Sequence, residues 1–236
     1  MKLGIMQPYF FPYVGYYSLI KNTDKFILFD TVQFIRHGWI ERNRILKPNE
    51  GWQYIQVPLL KHNRDIFIKD LGIKNTELWR EKLKAQLQNY KKRAPYYSDC
   101  MDVVTACLAI ETDSIVELNY NILLHTCKYL GIYFDCEIYS KMNLTIDEVN
   151  APDEWALNIS KVMGATEYIN PPGGLEFFNK EKYSQNNIKL TFLGNNCAQY
   201  KQRREGFEAG LSIIDLMMFN DVSSINNMID DIKIVI

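Results

Sequence analysis

Two short apolar runs, Lys2–Met6 and Phe26–Phe29, flank a Pro/aromatic loop (Gln7–Pro12), Gly15 and an amphipathic segment (Tyr16–Lys21). Runs of four or five apolar residues read as strands buried on both faces, and the order strand, loop, helix, strand opens a parallel α/β sheet. Trp52–Leu59 then alternates as a strand, with Asp65–Lys69 as its expected partner across Lys61-His62-Asn63-Arg64. Leu78, Trp79, Leu83, Leu87 and Tyr90 recur at helical spacing behind Thr76, the expected cap. Tyr97–Leu108 and Ser114–Leu130 continue as helices, the second closed by Gly131, so a helical insert is expected over residues 76–131.

The last third returns to interleaved strands and helices. Tyr133–Ile138, Glu167–Ile169 and Ile188–Phe192 read as strands, and Pro152–Met163, Ser212–Phe219 and Val222–Ile232 as helices. Asn170-Pro171-Pro172-Gly173-Gly174 is a strong turn former between two of those strands. With no internal repeat and no low-complexity linker, residues 1–236 are expected to form a single α/β domain around a parallel sheet.

Composition narrows the classes of function. A net charge of −1 argues against broad electrostatic binding to nucleic acid. No stretch has the roughly 18–20 apolar residues of a membrane helix, and no signal peptide is read, so the cytoplasm is the expected location and membrane insertion is not expected. The five cysteines lack a CxxC pair and are expected to be reduced; only Cys197 falls in a loop suited to a ligand. His37, His62 and His125 show no metal-ligand spacing, so no metal site is expected.

Candidate chemistry gathers where ligands meet parallel sheets, beyond the carboxyl ends of the strands. Gln7 and Tyr9 follow the first strand; the amide can orient a hydroxyl or ring nitrogen, and the ring can stack. Asp30 ends the second strand, as a base, a hydroxyl ligand or a turn cap. Next come Gln33, Arg36, His37, Trp39, Arg42, Asn43 and Arg44. His37 can exchange a proton near neutral pH, removing one from an attacking amine, or serve only in structure. Arg36, Arg42 and Arg44 can grip phosphate oxygens, and an extended Arg42-Asn43-Arg44 sends both arginines to one face, suiting a diphosphate or a solvated edge. Asn170 lies in the turn at the mouth of the sheet. Ser212 and Asp215 share a helical face, where Ser212 reads as a cap rather than a nucleophile.

Pro12–Ile20 is similar in layout to the nucleotidylyltransferase loop HxGHxxLI: Gly15 and Leu19-Ile20 match, while Tyr13 and Tyr16 replace its two histidines. A nucleotidylyltransferase-like, Rossmann-like sheet is one expected arrangement among the parallel α/β folds. The lost histidines argue against adenylyl transfer.

IMQPYFFPYVGYYSLI, FDTVQFIRHGWIERNRI, GWQYIQVPL and LSIIDLMMFN, in that order, resemble the WbqC-like family of bacterial proteins. The resemblance implies a place in O-antigen or other surface-polysaccharide sugar pathways, and acyl or aminoacyl transfer to the amine of a nucleotide-linked deoxyamino sugar. It adds Tyr200 and Gln202 to the candidate ligand contacts. The partners so implied are a nucleotide-linked sugar and an acyl or aminoacyl donor. No cofactor is identified, and the donor (thioester, activated amino acid or ATP-derived intermediate) stays open, as does oligomeric state. An ATP-dependent amide ligase and a noncatalytic nucleotide-sugar-binding scaffold are the alternatives.

Overall fold

Leu3 and Ile5 point to one side of the first strand, β1 (Lys2–Met6), and Gly4 to the other. Both sides are covered, which is why the run is apolar throughout. A Cβ on Gly4 would fall 2.8 Å from the Phe26 ring, so glycine lets the neighbouring strand pack its phenylalanine across β1. The computed structural model describes residues 1–235.

Helix α1 (Val14–Lys21) returns the chain to β2 (Lys25–Leu28), parallel to β1. Residues 29–135 then leave the sheet. They form a hairpin of β3 (Arg42–Leu46) and β4 (Trp52–Gln56) and three helices, α2 (Trp79–Leu87), α3 (Tyr97–Leu108) and α4 (Ile115–Leu130). Strand β5 (Cys136–Ile138), helix α5 (Glu154–Val162), β6 (Glu167–Asn170), α6 (Lys180–Gln185) and β7 (Lys189–Asn195) resume the alternation. Helices α7 (Ile213–Phe219) and α8 (Val222–Asp230) precede a last strand, β8 (Ile232–Val235).

The sheet order is β5-β2-β1-β6-β7-β8, parallel except for β8, which runs antiparallel to β7. Numbered by their appearance in this sheet, the strands stand in the doubly wound order 3-2-1-4-5-6, reversing between β1 and β6. One face packs Leu3, Ile5 and Ile27 on Ala156, Leu157 and Ile159 of α5 and Tyr183 of α6. The other packs Phe26, Leu28, Ile169 and Leu193 against the larger core that includes α1, α4, α7 and α8.

Several local expectations give way. The partner of β4 is Arg42–Leu46, not Asp65–Lys69, whose end instead enters a 3-10 turn at Ile68–Asp70. Thr76 does not cap α2, which starts after Leu78 with no side-chain cap. The expected Val222–Ile232 helix stops at Asp230, because the next residues pair with β7. Helix α6, with Asn179 accepting from the amides of Glu181 and Lys182, lies outside every expected element. By contrast α4 has Ser114 as its N-cap and Gly131, at φ 68°, as its C-cap.

Candidate functional site

Where the strand order reverses, the ends of β1 and β6 splay their connections to opposite sides and leave a crevice. In this chain it measures about 400 Å3 and is walled by Met6, Gln7, Tyr9, Phe29, Trp155, Tyr168, Phe178 and the Pro171–Gly174 turn. The walls are aromatic. Phe29 packs on Tyr139 at 5.2 Å and Trp155 at 5.3 Å between centroids, and Tyr168 lies 5.7 Å from Phe178. A Cβ on Gly174 would overlap the Asn170 amide and come within 2.9 Å of the Phe178 ring, so the turn presses its backbone onto the wall. Clefts of about 600 and 530 Å3 lie beside Arg80 and between β4 and α2. Neither is at the carboxyl end of the sheet, and Arg80 is already bonded to Leu108 O, Ile110 O and Asn75 Oδ1.

Polar groups in the crevice are few and uncharged. No Lys, Arg, His, Asp or Glu lines it. The Gln7 carbonyl accepts from Tyr16 Oη at 2.9 Å, which fixes its backbone; its side-chain amide bonds to none of the described residues. Tyr9 leans on Tyr16, 5.6 Å between rings, and burial raises its phenol pKa. The Asn170 amide is held, with Oδ1 accepting from Tyr168 Oη (2.9 Å) and Nδ2 donating to Pro171 O (3.0 Å).

The loop carrying Gln7 and Tyr9 is pinned by side chains from distant elements. Asn43 donates to Phe10 O (3.0 Å) and Phe11 O (2.9 Å), Asn119 of α4 to Pro8 O (2.8 Å), and Ser212 to Phe11 O (2.8 Å). Phe10 and Phe11 are themselves core residues. Phe11 sits at φ 40°, a left-handed backbone that these bonds hold in place.

Across that loop lies the β3–β4 hairpin. Arg42 and Arg44 share one face of β3, opposite Gln56 and Tyr54. Arg42 donates to His37 O (2.6 Å) and stands 4.0 Å over the Tyr54 ring. Arg44 donates to Gly210 O (3.0 Å) between Trp39 and Trp52, 5.3 and 5.1 Å from their rings. Cation–ring contacts and carbonyls thus hold both guanidiniums, and neither meets a carboxylate among the described residues.

A model of the WbqC-like protein family matches residues 7–227. The chain belongs to that family. It is also 28% identical over 218 residues to an uncharacterised protein of Mycobacterium tuberculosis (strain ATCC 25618 / H37Rv), covering 92% of each chain. No solved structure matches it.

The rest of this WbqC-like chain's candidate residues divide between surface and interior. Gln33, Arg36 and His37 are exposed on the loop after β2. Gln33 donates to Arg64 O and Asp65 Oδ1, both at 3.2 Å, and His37 takes a left-handed φ of 67°. Asp30 is 1% exposed, and its two oxygens accept from Ser140 N (3.0 Å) and Ser140 Oγ (2.6 Å), tying the end of β2 to the segment after β5. Tyr200 and Gln202 converge on Asp215, with Tyr200 Oη at 2.6 Å and Gln202 Nε2 at 3.1 Å, while Tyr90 Oη donates from the other side at 2.6 Å. Burial outweighs those bonds and the nearby Arg204 charge, raising the Asp215 pKa to about 6. The Cys197 thiol is raised as well by its burial, the wrong direction for a nucleophile.

Two residues stand out only in the fold. Glu41, a lone minus sign among the arginines in the sequence, is 5% exposed, and its Oε2 bonds to none of the described residues. Asn119 Oδ1 is buried and equally unpaired, although its Nδ2 also donates to Ile40 O at 2.9 Å. The available signal for Glu41 was its place in a dense polar motif; nothing in its spacing marks it as buried.

Proposed function

We propose that this WbqC-like protein binds a nucleotide-linked deoxyamino sugar and transfers an acyl or aminoacyl group to its amine, as part of surface-polysaccharide synthesis. The observation that carries the reading is the switch-point crevice, with aromatic walls, no charge and an unpartnered Gln7 amide. Sugar and base rings present apolar faces and hydroxyl or amide edges, and such a wall suits them better than it suits a free phosphate. The diphosphate then falls to the hairpin, where Arg42, Arg44 and the exposed Arg36 keep positive charge free of carboxylate partners. In this reading Trp39 and Asn43 are positioning residues, Trp39 under Arg44 and Asn43 under the loop. Asp30 positions the segment around Ser140, and Tyr200 and Gln202 hold the floor behind the hairpin. Chemistry would come from orienting an amine against an already activated donor, with the Gln7 amide as a donor to the developing oxyanion.

The noncatalytic alternative has its own support: no acid, base or thiol lines the crevice. Thermal unfolding with UDP-, dTDP-, GDP- and CDP-linked amino sugars tests the binding, since ligand bound to the native state raises the midpoint with concentration. One nucleotide series is expected to stabilise the protein, and Gln7→Ala to weaken that binding about tenfold with the ligand-free midpoint unchanged. No response to any series ends the nucleotide-sugar reading. Binding without an acylated product, across thioester, aminoacyl and ATP-supplied donors, leaves the scaffold.

A further inference from the structure

After β2 the chain runs extended over residues 32–34 beside residues 66–68, with Phe34 N donating to Ile66 O at 2.9 Å and Ile68 N to Val32 O at 3.0 Å. Gln33 and Phe67 oppose each other across this antiparallel bridge. Side chains alternate along extended chain, so Phe34 and Ile68 enter the core while Gln33 and Phe67 face out. Phe67 is nevertheless large, apolar and 46% exposed. Two residues past Gln33, Ile35 is 71% exposed and opens a turn, its carbonyl accepting from Gly38 N at 3.3 Å, with Arg36 and His37 at the tip. Arg42 braces that turn through His37 O and Gly38 O, and Lys69 N donates to Asp30 O at the end of β2. Both apolar side chains therefore project from a fixed backbone at the carboxyl end of the sheet. The charges around them are uneven. Asp65 accepts from Gln33 and Asp70 from Lys69, whereas Arg36, Lys61 and Arg64 are exposed and reach no carboxylate among the described residues. His62 holds the loop of Lys61 and Arg64 against the bridge, its ring 5.5 Å from that of Phe34. A chain of net charge −1 thus sets three unpaired cations about two protruding apolar residues.

We infer that this face docks on an anionic lipid bilayer, with Ile35 and Phe67 entering the boundary between headgroups and acyl chains and Lys61 and Arg64 meeting lipid phosphates beside them. Arg36, given above to a diphosphate, is not needed for it. A bilayer interface takes protruding apolar side chains without any match of shape, and anionic headgroups attract the cations next to them. A protein partner asks instead for a contiguous patch or groove, and this pair stands outside the clefts described above. A soluble polyanion would use the cations and leave Ile35 and Phe67 in water. Docking of this kind spans nothing, and no helix among the described residues is long and apolar enough to cross a membrane. The overall charge gives no attraction to an anionic surface, so the patch sets the orientation. Its anchor, Asp30, directly follows Phe29 of the crevice wall, and docking turns that end of the sheet toward the lipid.

The test is sedimentation of the full chain with vesicles of phosphatidylcholine alone or with phosphatidylglycerol mixed in. No nucleotide sugar is present, so the outcome is separate from that of the transferase reading. Binding is expected to the mixed vesicles only, and to weaken as salt rises. Phe67→Ser and Ile35→Ser are each expected to weaken it about tenfold. Lys61→Gln with Arg64→Gln is expected to weaken it about 25-fold, about fivefold for each charge. Leu78→Ser, at a more exposed apolar residue just before α2, is the control and leaves binding unchanged. Ile35 is exposed enough for its variant to keep the test open should Phe67→Ser fail to fold. No binding to the mixed vesicles, or equal binding to both kinds, overturns the docking surface. So does binding that survives both apolar variants, which would mark a polyanion site that reads charge alone.

Discussion

Asp215 and Glu41 are both acids buried at the border between the hairpin and the core, and the fold treats them oppositely. Asp215 is surrounded: Tyr90 from one part of the chain and Tyr200 and Gln202 from another converge on it, and Tyr90 in turn accepts from Leu46 N of β3 at 2.8 Å. Glu41, five residues upstream of Leu46, has an oxygen that bonds to none of the described residues. A satisfied buried acid locks neighbouring elements together; an unsatisfied one costs stability. The contrast separates an acid that braces the fold from one that strains it.

Removing the acid from each side should move stability in different directions. Asp215→Ala strands two phenols and an amide in the interior and is expected to cost about 3–5 kcal/mol, read by urea unfolding. A loss under about 1 kcal/mol would mean the network is not the lock described.

The pH response of Asp215 is the next largest effect. Its carboxyl binds a proton more tightly in the folded protein, at about 6, than in an unfolded chain, near 4. The folded state therefore holds more protons through that window, and stability falls as pH rises across it, by about 3 kcal/mol, then flattens. Subtracting the profile of Asp215→Asn isolates this slope from the other acids, and equal slopes in both proteins would refute it. The smallest effect belongs to Glu41. Glu41→Gln removes an unpaired buried charge and is expected to leave the unfolding free energy unchanged or to raise it by about 1 kcal/mol. A loss of similar size would place an unseen partner on Glu41 and erase the comparison.

What could be read from the chain follows from how burial writes itself in sequence. Leu3, Ile5, Ile27 and Leu28 are buried by sheet and helices alike, so β1 and β2 are plain apolar runs, and Ser114 and Gly131 mark α4 by local chemistry alone. Strand β3 is not plain, because Arg42-Asn43-Arg44 buries an asparagine whose purpose, bonding two carbonyls of a loop 32 and 33 residues away, has no local trace. The last strand was hidden for another reason. Ile225, Ile229 and Ile232 continue a helical spacing past Asp230, and only pairing with β7 breaks it. Helix α6 buries one residue, Tyr183, and so has no period to detect. For the site, the sequence placed Gln7 and Tyr9 beyond a strand's carboxyl end and Asn170 at the mouth of the sheet, and the strand order brings them to one crevice. The partners that occupy Asp30 and Asn43 come from far along the chain, 110 and 32 to 33 residues away, and could not be anticipated from spacing, whereas those of Tyr200 and Gln202 lie within 15 residues.

The pinned loop has a consequence in time. Residues 7–12 are synthesised before the side chains that set their path, which sit 32 to 201 residues downstream, Ser212 last of all. Synthesis delivers this loop before its clasps, and the last of them, Ser212, arrives only with α7. A chain ended ahead of Ser212 would keep Gln7 and Tyr9 in sequence but lose the bond that ties Phe11 O to the start of α7.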